Sequence, residues 1–301
     1  MAAYSFKKEA KVYVVYGTDQ YNIDISEINF TQTLMEKSTP LKTIHTSSYF
    51  EKSIINKANP ANFEITFPAI REDDFKVLFD RALDYQTFDL YVETEQDVFK
   101  IETCVITNGR FIIERLKPLS MAITGEASKV SRHGDAGTTF DPTASEVPRD
   151  NNMTYNRISD LSITLGGTET LSNDLASVSV ELRNEIKWTP FNTIDGACDS
   201  TSATLQYPSS FSVTGRSLGG AFRRYLTDTN NTNLLGYDLD VSLRILAGQD
   251  ISGTVYGFDI DITNCMYANR VNTGTVFTQV YDWRMVQNPA DLSSIISYVT
   301  L

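Results

Sequence analysis

Residues 37–44, Lys37-Ser38-Thr39-Pro40-Leu41-Lys42-Thr43-Ile44, return 150 positions later as Lys187-Trp188-Thr189-Pro190-Phe191-Asn192-Thr193-Ile194. Extending the gapless comparison backwards sets Gly17-Thr18 on Gly167-Thr168 and Asp24-Ile25 on Asp174-Leu175, for eight identities over 17–44. Two further blocks follow in the same order. Pro60-Ala61-Asn62-Phe63-Glu64-Ile65-Thr66 matches Pro208-Ser209-Ser210-Phe211-Ser212-Val213-Thr214, and Phe88-Asp89-Leu90-Tyr91-Val92 matches Tyr237-Asp238-Leu239-Asp240-Val241. Collinear matches at a nearly constant offset mark an internal duplication, which has to be settled before any fold is assigned. The chain divides accordingly into a first domain over 1–130, a linker over 131–155 and a second domain over 156–301. The linker holds Gly134, Gly137, Pro142, Pro148, Asn151 and Asn152 with few apolar residues, the composition of a connector.

Each copy reads as mainly β. Ile23, Ile25, Ile28 and Phe30, answered by Leu175, Val178 and Val180, give an alternating strand, as do Phe63, Ile65 and Phe67 beside Phe211 and Val213. Further strands fall at 87–93 and 98–106, and Leu119, Met121 and Ile123 share one face of another, answered by Tyr281, Trp283 and Met285. Phe75, Leu78 and Phe79 stand at helical spacing and predict a helix over 74–83. Phe222, Tyr225 and Leu226 predict its counterpart in the second copy. The fold expected is two tandem antiparallel β-sandwich or half-barrel domains, each with one short flanking α-helix. The second copy carries an extra hairpin near 247–255, with Gly248 and Gly253 about its turn. Long polar arms precede the Pro-x-x-Phe blocks at 46–59 and 195–207.

Composition narrows the function. A hydrophobic content of 41% supports packed cores, and the absence of any apolar run near the ~20 residues of a bilayer span argues against a membrane anchor. No apolar stretch follows Lys7, Lys8 and Lys11, so synthesis in a cytoplasm without a secretory signal is expected. A net charge of −12 and a pI near 4.7 suit poorly a protein that grips nucleic acid, because phosphate binding needs lysine and arginine to displace counterions. Cys104, Cys198 and Cys265 have no C-x-x-C spacing and read as free thiols. His45 and His133 alone leave little scope for histidine-ligated zinc.

The residues that could carry chemistry have simpler readings. Gly215-Arg216-Ser217-Leu218-Gly219-Gly220 has the look of a phosphate loop but lacks its lysine; a strand-to-helix turn accounts for it. Arg71-Glu72-Asp73-Asp74 places carboxylates at a helix N-terminus, where they complement the dipole. Asp259 and Asp261, with Glu102 on the matching strand, read as a solvated acidic sheet face rather than a catalytic carboxylate pair. Arg223-Arg224, placed on the second helix, is too small a basic patch to read DNA. Fifteen Tyr and sixteen Phe alternate mostly with aliphatic residues and belong to cores and subunit interfaces. No catalytic, cofactor-binding or metal-ligating residue is expected, and no cofactor.

A β-sandwich with one flanking helix and a long polar arm resembles the tail tube domain of long-tailed bacteriophages and related contractile injection systems. Two such units in one chain resemble the duplicated major tail proteins of some siphophages. The resemblance implies a structural virion protein without enzymatic activity. It implies self-association into trimeric rings of pseudo-sixfold symmetry, stacked into a hollow tail tube that conducts DNA from capsid to host. It further implies a tape measure protein and genomic DNA in the lumen without sequence-specific binding, and tail terminator and distal tail or baseplate proteins at the ends. Glu93, Glu95, Glu102, Asp238, Asp240, Asp259 and Asp261 are the candidates for acidic sheet faces, one of which would repel DNA in the lumen. The arms at 46–59 and 195–207 would make ring-to-ring contacts. A terminator or distal-tail ring, and a receptor- or carbohydrate-binding β-sandwich, are the alternatives.

Overall fold

The computed structural model describes residues 10–37, 40–43, 46–50, 54–67, 72–114, 116–117, 119–141, 143–148, 158–167, 169–171, 174–188, 207–227, 236–251, 254–286 and 296–300. The first half opens with β1 (Lys11–Tyr16), β2 (Asp19–Ile23), β3 (Glu27–Thr31), β4 (Leu34–Lys37) and β5 (Pro40–Thr43). It continues through β6 (Thr46–Phe50), β7 (Ile54–Ala58), β8 (Ala61–Phe67), the helix α1 (Glu72–Asp84) and β9 (Phe88–Glu93). It closes with β10 (Asp97–Glu114), β11 (Ser120–Ala127), β12 (Lys129–Asp135) and the two-residue β13 (Ser145–Glu146). The second half holds β14 (Asp160–Leu165), β15 (Glu169–Leu171), β16 (Leu175–Trp188) and β17 (Phe211–Tyr225). After these come β18 (Gly236–Ile251), β19 (Thr254–Asn272), β20 (Thr278–Met285) and β21 (Ile296–Thr300).

The same seven antiparallel pairings occur twice. In the first half they are β1–β2, β1–β9, β9–β10, β10–β12, β10–β11, β11–β8 and β8–β3. In the second they are β14–β15, β14–β18, β18–β19, β19–β21, β19–β20, β20–β17 and β17–β16. In each half the longest strand, β10 or β19, passes from one layer to the other, so the sheet folds over its own core as a sandwich rather than closing as a barrel. The first hairpin of each half turns on glycine, Gly17 at φ 57° and the pair Gly166-Gly167 at 60° and 72°. Only a residue without Cβ takes that left-handed backbone freely.

Rows of cross-strand neighbours fix the equivalence of the halves. Ile28, Ile65, Ile123 and Gly109 stand side by side in the first half, and Val178, Phe222, Tyr281 and Asn269 in the second. The adjacent row exchanges large for small. Phe63 faces Gly125, whose Cβ would lie 2.3 Å from the Phe63 ring, whereas Gly220 faces Trp283. This keeps the 150-residue offset of the 17–44 block at Ile28 and Val178 but moves the two later blocks. Ile65 corresponds to Phe222 rather than Val213, and Leu90, paired to Val14, corresponds to Ile245, paired to Ile163, rather than Leu239. Alternating apolar residues look alike in every strand, so short blocks of them align at wrong offsets.

Only one of the two expected helices is present among the described residues. α1 buries Leu78, Phe79, Ala82 and Leu83 along one stripe, with Phe79 edge-on to Phe111 at 5.0 Å between ring centroids. Tyr85, at φ 45°, ends it, and the Gln86 amide returns to Arg81 O at 3.1 Å. In the second half Phe222 and Tyr225 lie in β17, and only residues 226–235 connect it to β18, too few for a thirteen-residue helix with its turns. Gly219 and Gly220 are likewise mid-strand, not a strand-to-helix turn. The expected extra hairpin near 247–255 is a lengthening of β18 and β19, with Gly248 paired to Gly257. The stretch read as a linker carries most of β12 and then β13, which pairs in parallel with β2; residues 149–157 lie outside the described residues. The first arm is a β-hairpin extension, β4 with β7 and β5 with β6, while 195–206 of the second arm lies outside the described residues.

Candidate functional site

The halves meet strand to strand. Asn108–Glu114 of β10 pairs antiparallel with Ser177–Arg183 of β16 in seven register pairs, Phe111 opposite Val180. Side chains fasten the seam. Val178, Val180, Leu182 and Asn184 follow one another on the core-facing side of β16, and Asn184 is as buried as its apolar neighbours. Its amide nitrogen donates to Ala82 O (2.9 Å) at the end of α1 and to Ile106 O (3.0 Å). Arg216, on β17, donates through Nε to Asn184 Oδ1 (3.0 Å) and through its terminal nitrogen to Leu83 O. Its guanidinium lies 5.0 Å from the centroid of the Tyr85 ring. Burial lowers the Arg216 pKa from its usual value, yet the guanidinium stays charged and sits where the dipole of α1 favours a cation. Asn108 donates to Glu181 Oε1 (3.2 Å), and Trp188 Nε1 to Glu126 Oε2 (2.7 Å), so side chains tie the Asn108–Arg183 end of the seam.

The seam makes one sheet of eight strands, ordered β3-β8-β11-β10-β16-β17-β20-β19. Glu27, Thr66, Ala122, Arg110, Glu181, Gly219, Arg284 and Met266 stand in a row across its outer face. The other rows are rich in Ser, Thr and Ala. Carboxylates there (Glu27, Glu64, Glu114, Glu126, Glu181, Glu185, Asp282) nearly balance the cations (Arg110, Arg183, Lys187, Arg223, Arg270, Arg284). Two of these arginines are held by carboxylates of the same face: Arg183 by Glu181 at 2.8 Å and Arg270 by Asp282 at 2.9 Å.

The sheet ends on two edges. Among the described residues β3 pairs only with β8, and β19 beyond Asn269 pairs only with β20. Just before that stretch, Gly236, Tyr237 and Asp238 lie along β19 opposite Asn269, Ala268 and Tyr267. Large exposed side chains gather at both edges: Leu34 and Met35 beyond β3, Tyr237 and Leu239 beside β19.

None of the seven sequence-predicted acidic positions lies on the outer face of this sheet. Glu93, Glu95 and Glu102 belong to the layer built from β9 and the first part of β10, and Asp238 and Asp240 to the start of β18. Asp261 is exposed, but Asp259 is buried against Arg244, whose Nε lies 2.9 Å from Oδ2, so the expected solvated acidic face does not hold there. Arg224 is not a helix residue but buried in β17, donating to Gln279 Oε1 (2.9 Å) and the Tyr281 hydroxyl (2.8 Å), while Arg223 is exposed. Burial pushes the Cys265 thiol up to about 11 and the Cys104 thiol well above its ordinary value. Cys198, His45 and Arg71 fall outside the described residues. Among the described residues no three His, Cys, Asp or Glu side chains group closely enough to hold a metal ion, and no helix is long and apolar enough to cross a membrane. Asn184 and Arg216 were missed as seam residues, although Asn184 announces itself as a polar residue on an otherwise apolar strand face.

The profile of the Bacteriophage Baseplate Tube Protein Family matches residues 2–300. The chain belongs to this family. It is therefore a structural protein of the bacteriophage tail, with self-assembly and association with other tail or baseplate proteins as the family's business. No curated protein matches the chain.

Proposed function

We propose that this protein is a polymerising tube subunit. Two tandem tube domains, residues 1–130 and 156–301 joined by 131–155, close as a trimeric ring of pseudo-sixfold symmetry, and rings stack into a hollow conduit for DNA. One observation carries this reading: the sheet is made by joining two like halves edge to edge, and it ends on the same two kinds of edge. An unpaired edge is an aggregation hazard, and ring closure removes it. Size agrees. Three eight-stranded sheets at ~4.8 Å spacing and ~40° tilt give a backbone ring about 40–50 Å across, leaving a bore on the order of 30 Å after side chains, wide enough for a DNA duplex.

The outer sheet face becomes the bore. Its short hydroxyl and methyl side chains and near-neutral charge offer DNA little to grip, because retention needs uncompensated lysine and arginine. A tape measure protein precedes DNA through this bore without sequence-specific contacts. The β4–β7 and β5–β6 arm reaches the next ring, and terminator and distal tail or baseplate proteins cap the ends. Negative-stain microscopy of concentrated protein tests the proposal. Hollow tubes with a regular ring repeat are expected; single closed rings that never stack would favour a terminator role, and a persistent monomer with glycan affinity would overturn the reading.

A further inference from the structure

Resting on that reading, we infer the register in which one copy of this chain pairs with the next, and that the Gly236–Tyr237 segment must leave β19 to allow it. The internal seam is the template. Ser179 on β16 corresponds to Asn29 on β3, and Val180 to Phe30. The rows that equate Gly109 with Asn269 equate Phe111 with Val271 and Ile112 with Asn272. Because Phe111 faces Val180 and Ile112 faces Ser179 inside the chain, Val271 of one copy faces Phe30 of the next, and Asn272 faces Asn29. Arg270 then meets Thr31. The parity is right, since Phe30 packs against the core and a shift of one residue would turn it to the bore.

The internal seam runs over seven residues of β10, which correspond to 268–274, and Gly236 and Tyr237 stand on the first two. In the first half the corresponding stretch of β10 is covered by β16, not by β9, whose own pairing with β10 stops at Cys104. The segment is built to be released. It is joined to the rest of β18 through register shifts between Asp238 and Val241 and between Val241 and Leu243, and Tyr237 is 78% exposed. While it is in place it shields part of a sheet edge that would otherwise invite pairing with any strand.

Paired cysteines test the register. Asn29→Cys with Asn272→Cys, in a Cys198→Ser background, should form a reducible disulfide between chains on mild oxidation, giving covalent species of up to three chains on a non-reducing gel. Cβ atoms directly opposite in a ladder lie within disulfide reach. Ile112→Cys with Ser179→Cys marks the same place in the internal seam and should close within one chain, showing that the chemistry and the fold are intact. Rings of unmodified protein in the microscope, with the internal pair closing and the Asn29/Asn272 pair refusing to, would overturn the register and leave the tube reading standing. A chain that stays monomeric at high concentration would remove both. Hydrogen exchange gives the second arm: on assembly, protection should rise over 268–274 and fall at Gly236–Tyr237. Continued protection of Gly236–Tyr237 in assembled rings would refute their release.

Discussion

Where Phe67, Met121 and Ile123 meet in the first half, Arg224, Gln279 and Tyr281 meet in the second, all six buried. One site is apolar and lies beside the helix; the other is a hydrogen-bonded cluster in a half with no described helix. The ladder around them is nonetheless the same. Sheet topology here depends on backbone pairing and on which face each residue takes, and it tolerates a complete change of core chemistry as long as buried polar atoms find partners. The edges differ in the same sense. The seam is fastened by Asn184 and Arg216, while the corresponding place on the first half holds the exposed Leu34 and the buried Ala58.

The largest expected effect lies in α1, which has no counterpart among the described residues of the second half. Phe79→Ala should cost about 3–5 kcal/mol in urea unfolding, the usual loss for a fully buried aromatic. A cost below about 1 kcal/mol would mean that α1 is an accessory and that the halves differ less than they look. Next come the two exchanged glycines. A methyl at Gly220 would lie 2.0 Å from Ser179 O, and one at Gly125 would meet both the Phe63 ring and Val105 O, at 2.5 Å. Each Gly→Ala should destabilise by about 1–3 kcal/mol. Adding Phe63→Leu should recover part of the loss at Gly125, whereas no shortened side chain should rescue Gly220, because the obstacle there is backbone. Equal rescue at both sites would break the proposed exchange.

Asn184→Leu imitates the first half within the seam. It strands Ala82 O and Ile106 O and should cost about 1–3 kcal/mol, while Leu34→Asn at its exposed site should change monomer stability by less than about 0.5 kcal/mol. Similar costs at the two positions would contradict the distinction between a made seam and an open edge. The smallest effect is in pH. With its native pKa raised to about 11, Cys265 contributes stability that is fully present below its unfolded pKa near 8.5 and lost as pH rises through about 11. Cys265→Ala should flatten the alkaline limb of a stability–pH curve slightly, and an unchanged limb would argue that the thiol is not held in the core.

How much of this was legible in the sequence follows from the same comparison. Gly17 and Gly166-Gly167 turn the corresponding first hairpins, and turn residues have few substitutes, so the match begun there finds the right strand and holds at Ile28 and Val178. Phe63-Glu64-Ile65 and Phe211-Ser212-Val213 are only alternating strands, and the match between them slipped. The spacing of Phe222 and Tyr225 fits a helix on its own, but their cross-strand partners Tyr281 and Thr278 hold them in a ladder. Local periodicity could not anticipate that tertiary choice. The outer face of the eight-stranded sheet was invisible for a related reason: its rows assemble residues from eight strands, and no window of the chain contains one. Its charge is near balance, because the acidic positions expected on a sheet face stand in the layer of β9 and the first part of β10, on β18 and on the part of β19 that holds Asp259 and Asp261.

Mass measurement of isolated rings, combined with their projection symmetry in the microscope, tests the central claim most directly. Three chains per ring with six similar lobes is the predicted result, since each chain contributes two like halves to a continuous sheet. Six chains per ring, or a ring whose lobes do not come in pairs per chain, would contradict it.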